Sequence, residues 1–412
     1  MIPILLALAL PIGIGVALLV VLGLARKAHP ALVAGVAFGS GMGLIGLVLA
    51  ILPLAGIPLT MKTGVPAVVL AGVAMSVLLF STGRRRGASD GASPALAFPA
   101  EGEGKRRRLG WMLRTVWWLG FLALGVRIAL ATWRAMSKPV MGWDAFIVHS
   151  FRAKVLYYDQ TWSSESLRWI GNAHYPLGMP LAELWVTWFQ GRWDDTAFKV
   201  LFPCVLVALL AMVYGGLREV FGPLGAMGGT WLVAALPLLV QHATDAYLDL
   251  PLAYATFGAS VFLWRYARTR ARSDLLVASW MAALGVWTKN EGSLAFGIEV
   301  ALLTAWFARD GRLRDRAAWL DLGRFAALPF LVWSGWALFK AVSGISSPLT
   351  VKVSELFDHA DRLPAVLVFV ARELWQSANW HALWPLFFGG WLLHVRRSLD
   401  PAFLSSSAGP SS

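Results

Sequence analysis

Long apolar runs separated by short polar breaks set the pattern of this chain. The first, IPILLALALPIGIGVALLVVLGLA (2–25), reaches the roughly 20 residues a helix needs to cross a hydrocarbon core, at about 1.5 Å of rise per residue. Further runs at 31–52, 65–81, 111–132, 196–217, 224–241, 251–267, 274–288, 293–308, 324–343 and 380–394 predict about eleven helical spans in all. Two apolar stretches break the pattern. PLGMPLAELWVTWF (176–189) is short, holds two prolines and carries Glu183, while LPAVLVFVARELWQ (363–376) carries Arg372 and Glu373. Both read as re-entrant or interfacial segments. The expected fold class is all-α, a polytopic transmembrane helical bundle whose large external loop bears interfacial helices.

Between the spans, composition marks the organisation. Residues 1–82 form an N-terminal three-span segment, and 83–110, rich in Gly, Ala, Ser, Pro and basic residues, read as a disordered cytoplasmic linker. A membrane core follows over 111–394 with its external loop at 133–195, then a tail over 395–412. The loop is long enough to be functional, and its mixture of apolar and polar residues favours order. No internal repeat is visible, so an inverted-repeat transporter has no sequence support.

Of the 412 residues, 58% are hydrophobic and only 14% charged, a balance that a water-facing surface does not carry. The net charge of +13 excludes little by itself. Its distribution says more: Arg26 and Lys27, Arg84–Arg86 with Lys105–Arg108, Arg218, Arg265 to Arg272, Arg309 to Arg316, and Arg396 with Arg397 all fall on one side of the span order. The positive-inside rule accounts for these clusters, makes that side cytoplasmic and removes the case for nucleic acid. The first run lacks a basic leader and a small-residue cleavage site, so it reads as an anchor with its N-terminus outside. The single cysteine, Cys204, permits neither an internal disulfide nor a cysteine metal cluster.

Once the basic clusters are set aside, the remaining polar residues gather on the external side. MGWDAF places Asp144 about a dozen residues beyond the fourth span, where a carboxylate can act as general base or, alternatively, cap the helix that begins at Ala145. In FIVHSFRAKVLYY (146–158) one helical face is apolar, and Arg152 and Lys154 are suited either to a lipid phosphate or to snorkelling among headgroups. HYPLGMP introduces Tyr175 beside His174, which has no second histidine at metal-ligand spacing. QHATDAYLDL carries Asp245 and Asp249 at i and i+4, one face if helical, where like charges call for a partner or a cation. WTKNEG joins two spans through Lys289 and Glu291, with Gly292 suited to a sharp turn. Ionisable groups at that depth are functional candidates unless they merely face water.

These pieces, in this order, resemble the GT-C superfamily of membrane glycosyltransferases, which includes the protein O-mannosyltransferases and the bacterial lipid A aminoarabinose transferases. WDAF matches the essential Asp of the family's first external loop, Asp245 and Asp249 its downstream acidic turn, YPLGMPL the approach to its loop helices, and TKNEG a Lys-x-Glu-Gly turn. The likeness covers about 111–394. The three leading spans and the basic linker depart from the pattern, as does a sequence that stops soon after residue 394, where many members continue into regions that help bind the acceptor.

The resemblance implies an inverting transfer of a sugar from a polyprenyl-phosphate donor to an external lipid, glycan or protein. Asp144 would be the general base. Arg152, Lys154 and Lys289 would contact phosphate, while Tyr175, Asp245, Asp249 and Glu291 would hold sugar or acceptor. No cofactor is called for, although the acidic cluster suits weak binding of a divalent cation. The expected location is a bacterial inner membrane with the site on its periplasmic face. The rival readings are a lipid or sugar-lipid flippase, for which Arg114 and Arg127 within the fourth span would matter, and a non-catalytic assembly subunit that tolerates loss of Asp144.

Overall fold

The chain, here as a computed structural model, is described over residues 2–21, 24, 28–84, 106–162, 165, 172–345 and 358–398. Most of the 83–110 linker and the tail from 399 onward lie outside the described residues. Helices make up the regular structure, with no strand among the described residues. In order they are α1 Ile2–Val21, α2 Pro30–Ile51, α3 Met61–Arg84, α4 Arg106–Met136, α5 Ser150–Asp159, α6 Gly178–Gln190, α7 Leu201–Ala234, α8 Pro237–Asp245, α9 Asp249–Thr269, α10 Arg272–Thr288, α11 Glu291–Arg309, α12 Arg316–Val342, α13 Leu363–Leu374, α14 Ser377–Trp380 and α15 Leu383–Ser398.

Six of these stretches are long and apolar enough to cross a membrane: α1, α2, α4, the region of α7, α11 and α12. The number rises to seven if α8 and α9, a pair broken at a short turn, count as one span. The sequence pattern also counted shorter helices such as α10 and α15, which is where the larger expected number arises. Helix α7 runs through two of the expected spans, interrupted where Gly222 adopts a φ of 73° just before Pro223.

The chain divides into two compact units, residues 1–230 with 242–348, and residues 231–241 with 349–412. The first unit contains every candidate site residue. Within it α2 packs on α7 at small residues, Gly35 against Ala208 and Gly215 against Leu32, so that the backbones approach closely. Tyr254 of α9 adds a link to α2, donating its hydroxyl to Gly35 O at 2.7 Å and accepting from Gly39 N at 3.0 Å. The first three helices thus share a unit with the core.

Ion pairs mark one end of the first unit. Arg265 near the end of α9 bonds Glu219 of α7 and, at 3.2 Å, Asp274 at the start of α10; His29 N, just before α2, donates to Glu219 at 3.3 Å. Tyr266 bonds Asp321 of α12, and Arg270 pairs with Asp310 at 3.0 Å. Arg265 and Arg270, two of the basic residues that the charge pattern gathers on one side, thus find acidic partners at one end.

The starts of α2, α10 and α12 and the end of α9 lie at this basic end. Their other termini lie at the opposite end, where Lys289 after α10 meets Asp249 at the start of α9. Helix α6 belongs to that opposite end throughout. Gly178 at its start abuts Trp287 near the end of α10, and Trp188 near its finish abuts Gly64 in the first turn of α3. Trp185 between them donates to Ala7 O at 2.8 Å. A helix whose two ends touch the same end of the bundle lies across it.

Candidate functional site

Four chain segments converge at that end, and their local geometry determines which groups are spent and which are free. Asp144 stands first. Its backbone is helical (φ −64°, ψ −37°) and its side chain makes no capping hydrogen bond to the π-helical turn Ala145–His149. The capping role does not hold, because a residue already inside the helix no longer faces the unpaired amides. The carboxylate is exposed. Two residues earlier Gly142 presses on the turn after α8, where a Cβ would come within 2.6 Å of Asp245 O. Only a residue without a side chain allows this approach, and it brings Asp144 beside the 245–249 turn.

That turn contains the first departure from expectation. Asp245 and Asp249 do not share a helical face, because the helix breaks between them at Ala246, whose φ is +63°. Asp245 ends α8 and accepts from its neighbour Thr244 at 3.3 Å; Asp249 opens α9 and turns to Lys289. The repulsion expected for an i, i+4 pair is relieved by geometry as well as by a cation.

Lys289 is the hub. Its ammonium lies 2.9 Å from Asp249 Oδ1 and 3.4 Å from Glu291 Oε1, and its side chain is only 13% exposed. Burial lowers its affinity for a proton, but the bond and charge of Asp249, together with Glu291, outweigh that and raise it above the usual lysine range. The turn itself is made by Lys289 in extended backbone (φ −153°, ψ 151°). Gly292, read from sequence as the turn former, is helical and serves differently: a Cβ there would fall 2.0 Å from Gly285 O, so its absence lets α11 start directly against the end of α10.

Arg152 is fully buried, donating to Tyr175 O at 2.6 Å and to Asn172 O at 3.2 Å. Burial pulls it down to about 10, so it remains a cation near neutrality. Two of its donors are committed to holding the 172–175 turn. Lys154 points elsewhere, its ammonium 6.0 Å from the Trp193 ring. Tyr175 is central: its ring meets His149 edge-on at 5.8 Å and His174 at 4.8 Å. Its phenol is pushed above the usual range first by burial and then by the charges of Glu291, Asp144 and Asp249, against the pull of Lys289. One side chain therefore feels Asp144, Asp249, Lys289 and Glu291 together.

The sequence pattern gave no site role to four groups here, Glu183 having served only to mark its segment as non-spanning. His149 is buried beside Tyr175, and His242 packs on Tyr247 at 5.2 Å within the field of Asp249 and Lys289. Glu183, fully buried, accepts from Ser150 at 3.3 Å and so joins α6 to α5. Lys340, near the end of α12, acts on His174. Among the described residues no three His, Cys, Asp or Glu side chains assemble as a metal-ligand group. A small apolar cavity of about 60 Å³ lies between α2, α6, α9 and α10, lined among others by Gly178, Pro251, Tyr254 and Trp287.

The long apolar helices fit an integral membrane protein. Residues 179–336 match the model of the dolichyl-phosphate-mannose-protein mannosyltransferase family, which points to a membrane glycosyltransferase of the GT-C type. The matched stretch, under half of the chain, contains Asp245, Asp249, Lys289 and Glu291. No curated protein and no solved structure gives a match.

Proposed function

We propose that this chain transfers a sugar from a polyprenyl-phosphate-linked donor to an acceptor outside the membrane. What supports the reading is the exposed, uncapped Asp144 carboxylate, whose charge acts on the Tyr175 phenol together with those of Asp249, Lys289 and Glu291. Asp144 takes the proton of the acceptor hydroxyl as its oxygen attacks the anomeric carbon. The bond from that carbon to the phosphate oxygen breaks on the opposite face, so the configuration inverts and the lipid phosphate departs with the electron pair. Lys289 and Arg152, bonded as they are, add a positive field that favours its departure, while Tyr175, Asp245, Asp249 and Glu291 orient hydroxyls of sugar and acceptor. A donor carried in the bilayer reaches such a site sideways.

In this reading about eleven helices cross a bacterial inner membrane, the shorter and broken ones completing the long six. The basic end faces the cytoplasm and the site faces the periplasm. The test is reconstitution with polyprenyl-phosphate sugars, comparing the wild type with Asp144→Asn. Loss of a general base lowers kcat by about 10²- to 10⁴-fold with donor binding retained. Full transfer by the variant would remove Asp144 from the mechanism, and lipid translocation without transfer would favour a flippase.

A further inference from the structure

We propose that Lys340 is the cation that receives the phosphate of the lipid-linked substrate, an assignment that rests on the function proposed above. Its position follows from α12. Trp336 and Lys340 are i and i+4 and share a face of that helix. Trp336 donates its indole N–H to His174 O at 3.1 Å and meets the Trp287 ring edge-on at 5.9 Å. Phe339 stacks on Trp336 at 5.2 Å and meets Trp162 at 4.6 Å. These contacts fix the last turns of α12 over the 174–175 turn and the end of α10, which carries Lys340 to the Lys289 end of the unit. His174 registers it: burial, then Lys340 and Arg152, hold the imidazole below its usual range against the opposing charge of Glu291.

Of the other cations, Lys154 points away to the Trp193 ring, and two are already bonded. Lys289 is bridged by two carboxylates, and Arg152 gives two donors to backbone carbonyls. Among the described residues no carboxylate lies within ion-pair distance of the half-buried Lys340. An ammonium drawn partly out of water without a partner is costly, and an arriving anion relieves that cost. Phosphate suits a lysine, which acts toward it as a point charge.

Calorimetric titration of the detergent-solubilised protein with a polyprenyl monophosphate, inorganic phosphate and phosphatidylglycerol tests this directly. The expected result is saturable binding of the polyprenyl monophosphate, about 10- to 100-fold weaker in Lys340→Met and within a few-fold of wild type in Lys340→Arg. Equal melting temperatures exclude misfolding. Response to inorganic phosphate alone would mark a free-anion site, and equal response to phosphatidylglycerol a headgroup site; either overturns the assignment. So does unchanged binding by Lys340→Met, or no binding by the wild type. Sugar transfer measured in parallel separates the two proposals. Transfer by Lys340→Met with an unaltered donor KM sinks Lys340 alone, whereas Lys340-dependent binding without any wild-type transfer sinks the transferase and leaves the phosphate site.

Discussion

His149 is nearly sealed from solvent, and its Nδ1 meets no partner among the described residues. Burial, reinforced by Arg152 and Lys289 and opposed by Asp249, takes it from an ordinary 6.5 down to about 3. The native imidazole therefore stays neutral where the same group in the unfolded chain takes up a proton. Between pH 6.5 and about 3 the unfolded state binds more protons, so stability falls as the pH falls through that window. Above it His149 has no effect. For one group the slope is about 1.4 kcal/mol per pH unit. Melting in detergent at pH 7 and pH 5 is expected to show a larger loss for wild type than for His149→Gln; parallel losses would mean the histidine is not held neutral. At this scale residue types were legible in the sequence but their commitments were not. Arg152 and Lys154 look equivalent there, yet one is buried on carbonyl oxygens and the other lies beside the half-buried Trp193 indole. Asp144 looks like a cap and is not one. A capping bond depends on backbone angles that the sequence WDAF leaves open.

At the scale of elements the helices follow the sequence closely, because an apolar run in lipid satisfies its backbone only within itself. The observed α2, α9, α10 and α11 match the expected spans to within two residues at each end. The connections were harder to read. The i, i+4 spacing of Asp245 and Asp249 in QHATDAYLDL puts them on one face if the stretch is helical, and the left-handed Ala246 breaks the helix between them. Gly142 makes the matching contact from the other side. Gly142→Ala sets a Cβ 2.6 Å from Asp245 O, an overlap that moving the Asp144 segment away relieves. The cost is of the order of 1–3 kcal/mol. We expect retained helix content by circular dichroism and a fall in kcat well beyond any change in donor KM. A variant with wild-type kcat would show that the distance between Asp144 and the 245–249 turn does not matter.

For the whole molecule the sidedness is the quantity to measure. With Cys204 as the only native cysteine, a Cys204→Ala background permits single cysteines at Arg312 and Asp144. A membrane-impermeant maleimide applied to sealed right-side-out vesicles is expected to label the position 144 cysteine and to reach the one at 312 only after lysis. Labelling of both from one side would defeat the charge-based orientation.

The sequence alone determined the all-helical class and the positions of helices such as α2, α9, α10 and α11. Each of these rests on local hydrophobicity and charge, which residues express whatever they later touch. Only the tertiary structure decided that residues 142–144, 174–175, 245–249 and 289–291 meet, with Lys340 beside them. Helix ends so far apart in sequence are brought together by close backbone contacts at small residues and by single ion pairs, and no periodicity along the chain encodes which end will meet which.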